Sequence, residues 1–143
     1  MMMLTVIVDG ANVVGSRPDG WWRDRAGAAT RLAERLDGVL GADSGALTRA
    51  LDIADGTPLR VVLVLEGAAR SAAPRTADRQ LRVLRAETDG DTAIAALARD
   101  LTATGEEVVV VTADRGLRAR VHVSGARTVG PGALLRALDP TST

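Results

Sequence analysis

Apolar residues along the 143-residue chain come in two alternating arrangements. Short unbroken runs occur at Leu4–Val8, interrupted only by Thr5, at Leu59–Leu65 and at 107–112 (EVVVVT), with weaker runs at 81–84 and 127–129. Continuous runs of this length, rather than apolar-polar alternation, predict strands buried on both faces. Between them the spacing changes to three and four. Trp22, Ala26, Ala29, Leu32, Ala33, Leu36, Val39 and Leu40 predict a helix with one apolar face, broken at GADSG. Ala46, Leu47, Ala50, Leu51, Ile53 and Ala54 predict a second, shorter helix capped by Asp43 or Ser44. Ile94, Ala95, Leu97, Ala98 and Leu101 define another, Leu117 and Val121 a short one, and Pro131 opens a last helix that stops near Pro140. The GSRPDGWWRDRAG stretch and the small-residue segment after Glu66 predict loops, the latter mobile. Strand and helix signals thus alternate, and the strands are too apolar to face water. The pattern predicts an α/β fold: a mostly parallel sheet of about five strands with helices on both faces. No repeat or linker divides the chain, so residues 1–143 are expected to form one domain.

Acidic residues fall at particular places in that pattern. Asp9, Glu66 and Asp114 each follow a predicted strand, and Asp89 and Asp91 precede a predicted helix. In a parallel sheet these positions share one edge, the carboxyl ends of the strands, where open α/β sheets bind ligands. Taken singly, each acid is explained by a turn, a helix cap or a solvated loop. Taken together, four or five carboxylates in one crevice repel each other unless cations are bound. Oxygen ligands without Cys or His favour Mg²⁺ or Mn²⁺ over zinc and suit phosphodiester hydrolysis by an activated water. Asn12, three residues past Asp9, supplies an amide to orient that carboxylate or a water.

Composition narrows the choice of partner. Formal charge is zero, with 18 basic and 18 acidic residues, which excludes a wholly basic nucleic-acid coat. Every basic residue other than His122 is arginine, and guanidinium binds phosphate bidentately. Arg70, Arg75 and Arg79 before the acidic helix start, and Arg115 and Arg118 just past Asp114, are candidate phosphate contacts, although most arginine runs are solvated faces. Trp21 and Trp22 are the only aromatic residues. Trp22 lies in phase with the apolar face and is expected in the core or an interface, which leaves Trp21 free to stack on an unpaired base. His122, between Val121 and Val123 and outside the acid motifs, is expected to be structural or at the surface rather than a general base. No P-loop is present. With no cysteine, disulfides and thiolate metal sites are excluded and a reducing cytoplasm is the expected setting. The N-terminal MMMLTVIVDG is too short to span a membrane and lacks a basic leader, so no membrane association is expected.

VDGAN at the first strand end, DGDTAIAALA opening a helix, VVVVTADRGL at a later strand end and GARTVGPGALL near the C-terminus resemble the NYN branch of the PIN-like nuclease superfamily, in order and over nearly the whole chain. The resemblance implies a Rossmann-type three-layer sandwich and an Mg²⁺- or Mn²⁺-dependent endoribonuclease cutting single-stranded RNA to leave a 5′ phosphate and a 3′ hydroxyl. It implies Asp9, Asp91 and Asp114 as metal ligands and Asn12 as the polar residue that arranges the first. Thr92 stands where many relatives carry a second acid, and Glu66 where some carry aspartate, so Glu66 and Asp89 compete for the fourth ligand position. The alternatives are a non-catalytic RNA-binding module of the same fold and a hydrolase of nucleotides or small phosphoesters. A homodimer through helical Ala and Leu surface is compatible with the pattern and not required by it.

Overall fold

The computed structural model describes residues 3–77 and 79–139. Five parallel strands form one sheet in the order β3-β2-β1-β4-β5: β1 Leu4–Asp9, β2 Leu59–Leu65, β3 Leu81–Arg85, β4 Glu107–Val111 and β5 Arg127–Val129. Central β1 pairs with β2 on one side (Val8 opposite Leu63) and with β4 on the other (Val8 opposite Val111), and all six of its residues are buried. This explains its unbroken run, because neither face of the middle strand meets water.

Alternate residues divide between two cores. Leu4, Val6, Val8, Val109 and Val111 face one layer, made by α1 (Gly10–Gly15), α2 (Arg25–Ala50) and α5 (Pro131–Leu138). Ile7, Val62, Val64, Val108 and Val110 face the other, made by α3 (Gly90–Ala103) and α4 (Arg115–Val123). The result is the expected three-layer α/β sandwich. Among the described residues, no helix is long and apolar enough to cross a membrane.

Local structure departs from the sequence expectations in three places. Asp9 caps a short helix, α1, rather than ending in a plain turn. Its first residue must be glycine, because a Cβ on Gly10 would lie 2.6 Å from the Val64 carbonyl oxygen, an atom fixed in β2. The expected break at GADSG lies within α2 at one extended residue, Asp43 (φ −158°, ψ 74°), whose carboxylate accepts from the Ala46 N–H at 3.3 Å and caps the second helix as expected. Ile53 and Ala54 fall beyond that helix, and Ile53 is buried in the connection to β2. The segment after Glu66 is anchored rather than loose. Glu34 and Asp37 of α2 accept the backbone N–H groups of Arg75 (3.0 Å) and Ala77 (2.9 Å), and Arg85 donates to the carbonyls of Arg70 (2.9 Å) and Ala72 (2.7 Å).

Candidate functional site: a carboxylate crevice at the sheet edge

The strand order reverses at β1: β2 and β3 extend to one side, β4 and β5 to the other. The crevice at such a switch point lies beyond the carboxyl ends of β1 and β4. Asp9 ends β1 there and is only 4% exposed. Its Oδ1 accepts the Asn12 N–H at 3.3 Å, and its Oδ2 accepts the Thr112 hydroxyl at 2.9 Å. The same hydroxyl accepts the Asp114 N–H at 3.1 Å, while the Asn12 side-chain oxygen accepts the Ala113 N–H at 2.8 Å. Two bridges therefore lock the end of β1 to the end of β4. The Asn12 side chain orients the β4 turn, and it is the Asn12 backbone that reaches Asp9. Thr112 went unnoticed in the sequence, where a hydroxyl at the end of the VVVVT run was the available signal.

Asp114 leaves that turn and caps α4, accepting the Leu117 N–H at 2.8 Å. From the other side, α3 brings Asp91 in its first turn. Glu66, just past β2, lies against the start of α3, so that a Cβ on Gly90 would come within 2.8 Å of its Oε1. Electrostatics show the convergence of all four. Burial pushes the Asp9 carboxyl above its ordinary range, opposed by its bonds to Thr112 and Asn12, and Asp91 and Glu66 push it further. Partial burial raises Asp91, as do the charges of Asp114, Glu66 and Asp89, with Arg120 pulling the other way. Asp91 is thus the hub of the cluster.

Asp89 behaves differently. Its two oxygens accept the Thr92 N–H (2.8 Å) and the Thr92 hydroxyl (3.0 Å), and these bonds hold its carboxyl below the usual range. Thr92, where a further acid was sought, completes the helix cap instead.

The donor set is all oxygen, suited to a hard divalent ion, and two of its members, Asp9 and Asp91, sit at raised pKa, first because burial desolvates them and then because neighbouring carboxylates repel their charge. Among the described residues, no three His, Asp or Glu side chains are drawn into a closed ligand cage.

The basic candidates separate. Arg70, Arg75, Arg79 and Arg115 are exposed, whereas the Arg118 Nε donates to Thr128 Oγ1 at 3.0 Å, an oxygen shared with the exposed His122 Nε2 at 3.0 Å. Arg120, which the sequence did not single out, sits close enough to lower both Asp89 and Asp91. Arg17, Arg31 and Arg35, also unremarked, line a cavity of about 60 Å³ together with Asp19 and make no ion pair among the described residues. The tryptophans reverse their expected roles in part. Trp22 is 53% exposed, while Trp21 is half-buried beneath the Arg25 guanidinium, 5.0 Å above its ring.

No family model and no curated protein matches the chain by sequence. By structure it has the PIN-like α/β sandwich fold. Rae1 (YacP) from Bacillus subtilis superposes with a TM-score of 0.63 at 20% identity, over 94% of this chain and 72% of that one. A tryptophan-to-leucine mutant of Rae1 gives 0.60 at 19%, over 94% and 73%. At these identities the similarity is one of fold.

Proposed function

We propose that the protein is an Mg²⁺- or Mn²⁺-dependent endoribonuclease acting on single-stranded RNA. The observation that carries this reading is the meeting of Asp9, Glu66, Asp91 and Asp114 at the switch point, with the Asp9 and Asp91 carboxyls raised first by burial and then by neighbouring carboxylates. Acids kept at such mutual cost, in an open crevice, mark a site that awaits a cation. The fold shared with Rae1 and the VDGAN, DGDTAIAALA and VVVVTADRGL motifs favour a nuclease over other metal-dependent hydrolases. Asp9, Asp91 and Asp114 hold the ion, with Glu66 preferred to Asp89 as the fourth ligand because Asp89 is committed to the helix cap. A bound divalent ion would supply a water that loses its proton near neutral pH and would offset charge building on the phosphate.

The chain's own groups set the geometry. Thr112 and the Asn12 backbone fix the Asp9 oxygens, and the Asn12 side chain holds the turn that carries Asp114. Arg115 and Arg120 lie beside the acids as counter-charges for the RNA backbone.

The test is incubation of mixed single-stranded RNA with the purified protein in Mn²⁺, Mg²⁺ or EDTA, beside Asp91→Asn and Asp114→Asn variants. Cleavage that needs metal and vanishes in both variants is the expected result. RNA binding without cleavage would replace this reading with that of a binding module, and turnover of free nucleotides alone would make the protein a small-phosphoester hydrolase.

A further inference from the structure

Next to the crevice is a second cavity, of about 290 Å³, that the four carboxylates leave unexplained. It is at the small end of ligand-pocket sizes, room for one planar ring system rather than a long ligand. Its lining combines three kinds of group. Trp21 and the Arg25 guanidinium form one wall, and both an indole ring and a guanidinium plane stack on nucleobases. Gly10, Ala11 and Gly67 line it with minimal side chains. Glu66 contributes an acceptor-only carboxylate.

The cavity adjoins the carboxylate site through two residues. Gly10 directly follows Asp9, and Glu66 is one of the four converging acids. On its other side Val14 lines both this cavity and the smaller one bounded by Arg17, Arg31 and Arg35. Along one path the surface therefore offers acids, a ring-sized slot with a stacking wall, and arginines without ion pairs among the described residues.

We propose that the Trp21–Arg25 cavity receives one unpaired nucleobase beside the scissile phosphate, and that the strand continues over Arg17, Arg31 and Arg35. This rests on the nuclease reading and adds its basis for choosing single strands: a base inside a duplex cannot reach the slot without leaving its stack. An aromatic peptide side chain would suit the ring-sized slot, but not a path flanked by acids on one side and arginines on the other.

The chain contains no Phe or Tyr and two Trp, so Trp22→Phe leaves Trp21 as the sole indole reporter. In a Trp22→Phe/Asp91→Asn protein, which holds RNA uncut, single-stranded RNA is expected to quench Trp21 emission. An abasic substitution at one particular nucleotide should abolish that quenching, and duplex RNA should not cause it. In otherwise unmodified protein, Trp21→Ala should weaken single-strand binding about 5- to 150-fold, with Trp21→Phe recovering most of the loss. Arg31→Ala/Arg35→Ala should reduce the slope of log affinity against log salt by about 1.4. RNA cleavage with unquenched Trp21 and a neutral Trp21→Ala variant would overturn the cavity assignment and leave the nuclease standing. Quenching without cleavage by the unmodified protein would keep the base slot and overturn the nuclease, and absence of both binding and cleavage would overturn both.

Discussion

The β1–α1 and β3–α3 junctions use the same local device, an aspartate whose side chain caps a helix, and load it in opposite directions. At β3–α3, Asp89 is fully exposed, gives both oxygens to Thr92, and has its carboxyl held below the ordinary range. At β1–α1, Asp9 is buried beneath the sheet edge and its carboxyl is pushed up, despite the Thr112 and Asn12 bonds that favour its charge. Two residues beyond Asp89, Asp91 joins the Asp9 side of the contrast. One acid stabilises its helix; the other two are strained by their surroundings. Local rules explain Asp89 completely. Asp9 and Asp91 break them together, and such shared violations are expected where function rather than stability selects residues.

The largest effect expected from breaking this contrast comes from Asp91→Asn. It should lower metal-dependent RNA cleavage by more than about 100-fold, since losing an outer-shell partner alone costs 10- to 100-fold. It should also raise the metal-free melting temperature by about 1–3 °C, because a like charge leaves the cluster. Differential scanning fluorimetry in EDTA reads the second effect, and a melting temperature that falls would remove Asp91 from the strained set.

Thr112→Val comes next. The isosteric change strips a donor from buried Asp9 and an acceptor from the Asp114 N–H, at a cost of about 1–3 kcal/mol by denaturant unfolding. It should also push the Asp9 carboxyl still higher, moving the acidic limb of the cleavage profile to higher pH. An unshifted limb would separate Asp9 from the reaction.

A subtler effect is the pH dependence of metal-free stability. For Asp9 and Asp91 the folded-state pKa is above the reference value of 3.8, so the folded protein binds more protons than the unfolded chain. Their destabilising contribution is absent below 3.8, grows as pH rises through the folded values and is complete above them. Asp89 has the opposite sign: its stabilisation is present above 3.8 and is lost as pH falls through its lowered value. Melts in EDTA from about pH 4 upward should show the loss from Asp9 and Asp91, smaller in Asp91→Asn and offset by Mg²⁺, which binds the ionised form. A slope unchanged by Asp91→Asn would contradict the coupling.

The smallest perturbation, Asp89→Ala, should lower the melting temperature by fraying α3 and keep metal-dependent cleavage. Loss of cleavage in a folded Asp89→Ala protein would instead make Asp89 the fourth ligand in place of Glu66.

Much of this molecule is written in local pattern. The unbroken runs at Leu4–Val8 and Leu59–Leu65, the three-and-four spacing around Leu32 and Leu36, and acids placed after strands establish a parallel sandwich with a carboxylate-rich edge. Burial on both faces, helical period and strand ends are properties of a few consecutive residues, so sequence alone determines them. Tertiary structure decides what depends on distance through space. It sets the 3-2-1-4-5 order that puts β4 beside β1, and with it the Thr112–Asp9 bond between residues 103 apart in the chain. It lays Glu66 against Gly90, distinguishes strained Asp91 from capping Asp89, and exposes Trp22 while Trp21 lines a cavity. A carboxylate's charge is priced by its burial and by every charge near it, and those neighbours arrive from strands and helices that no sequence window contains together.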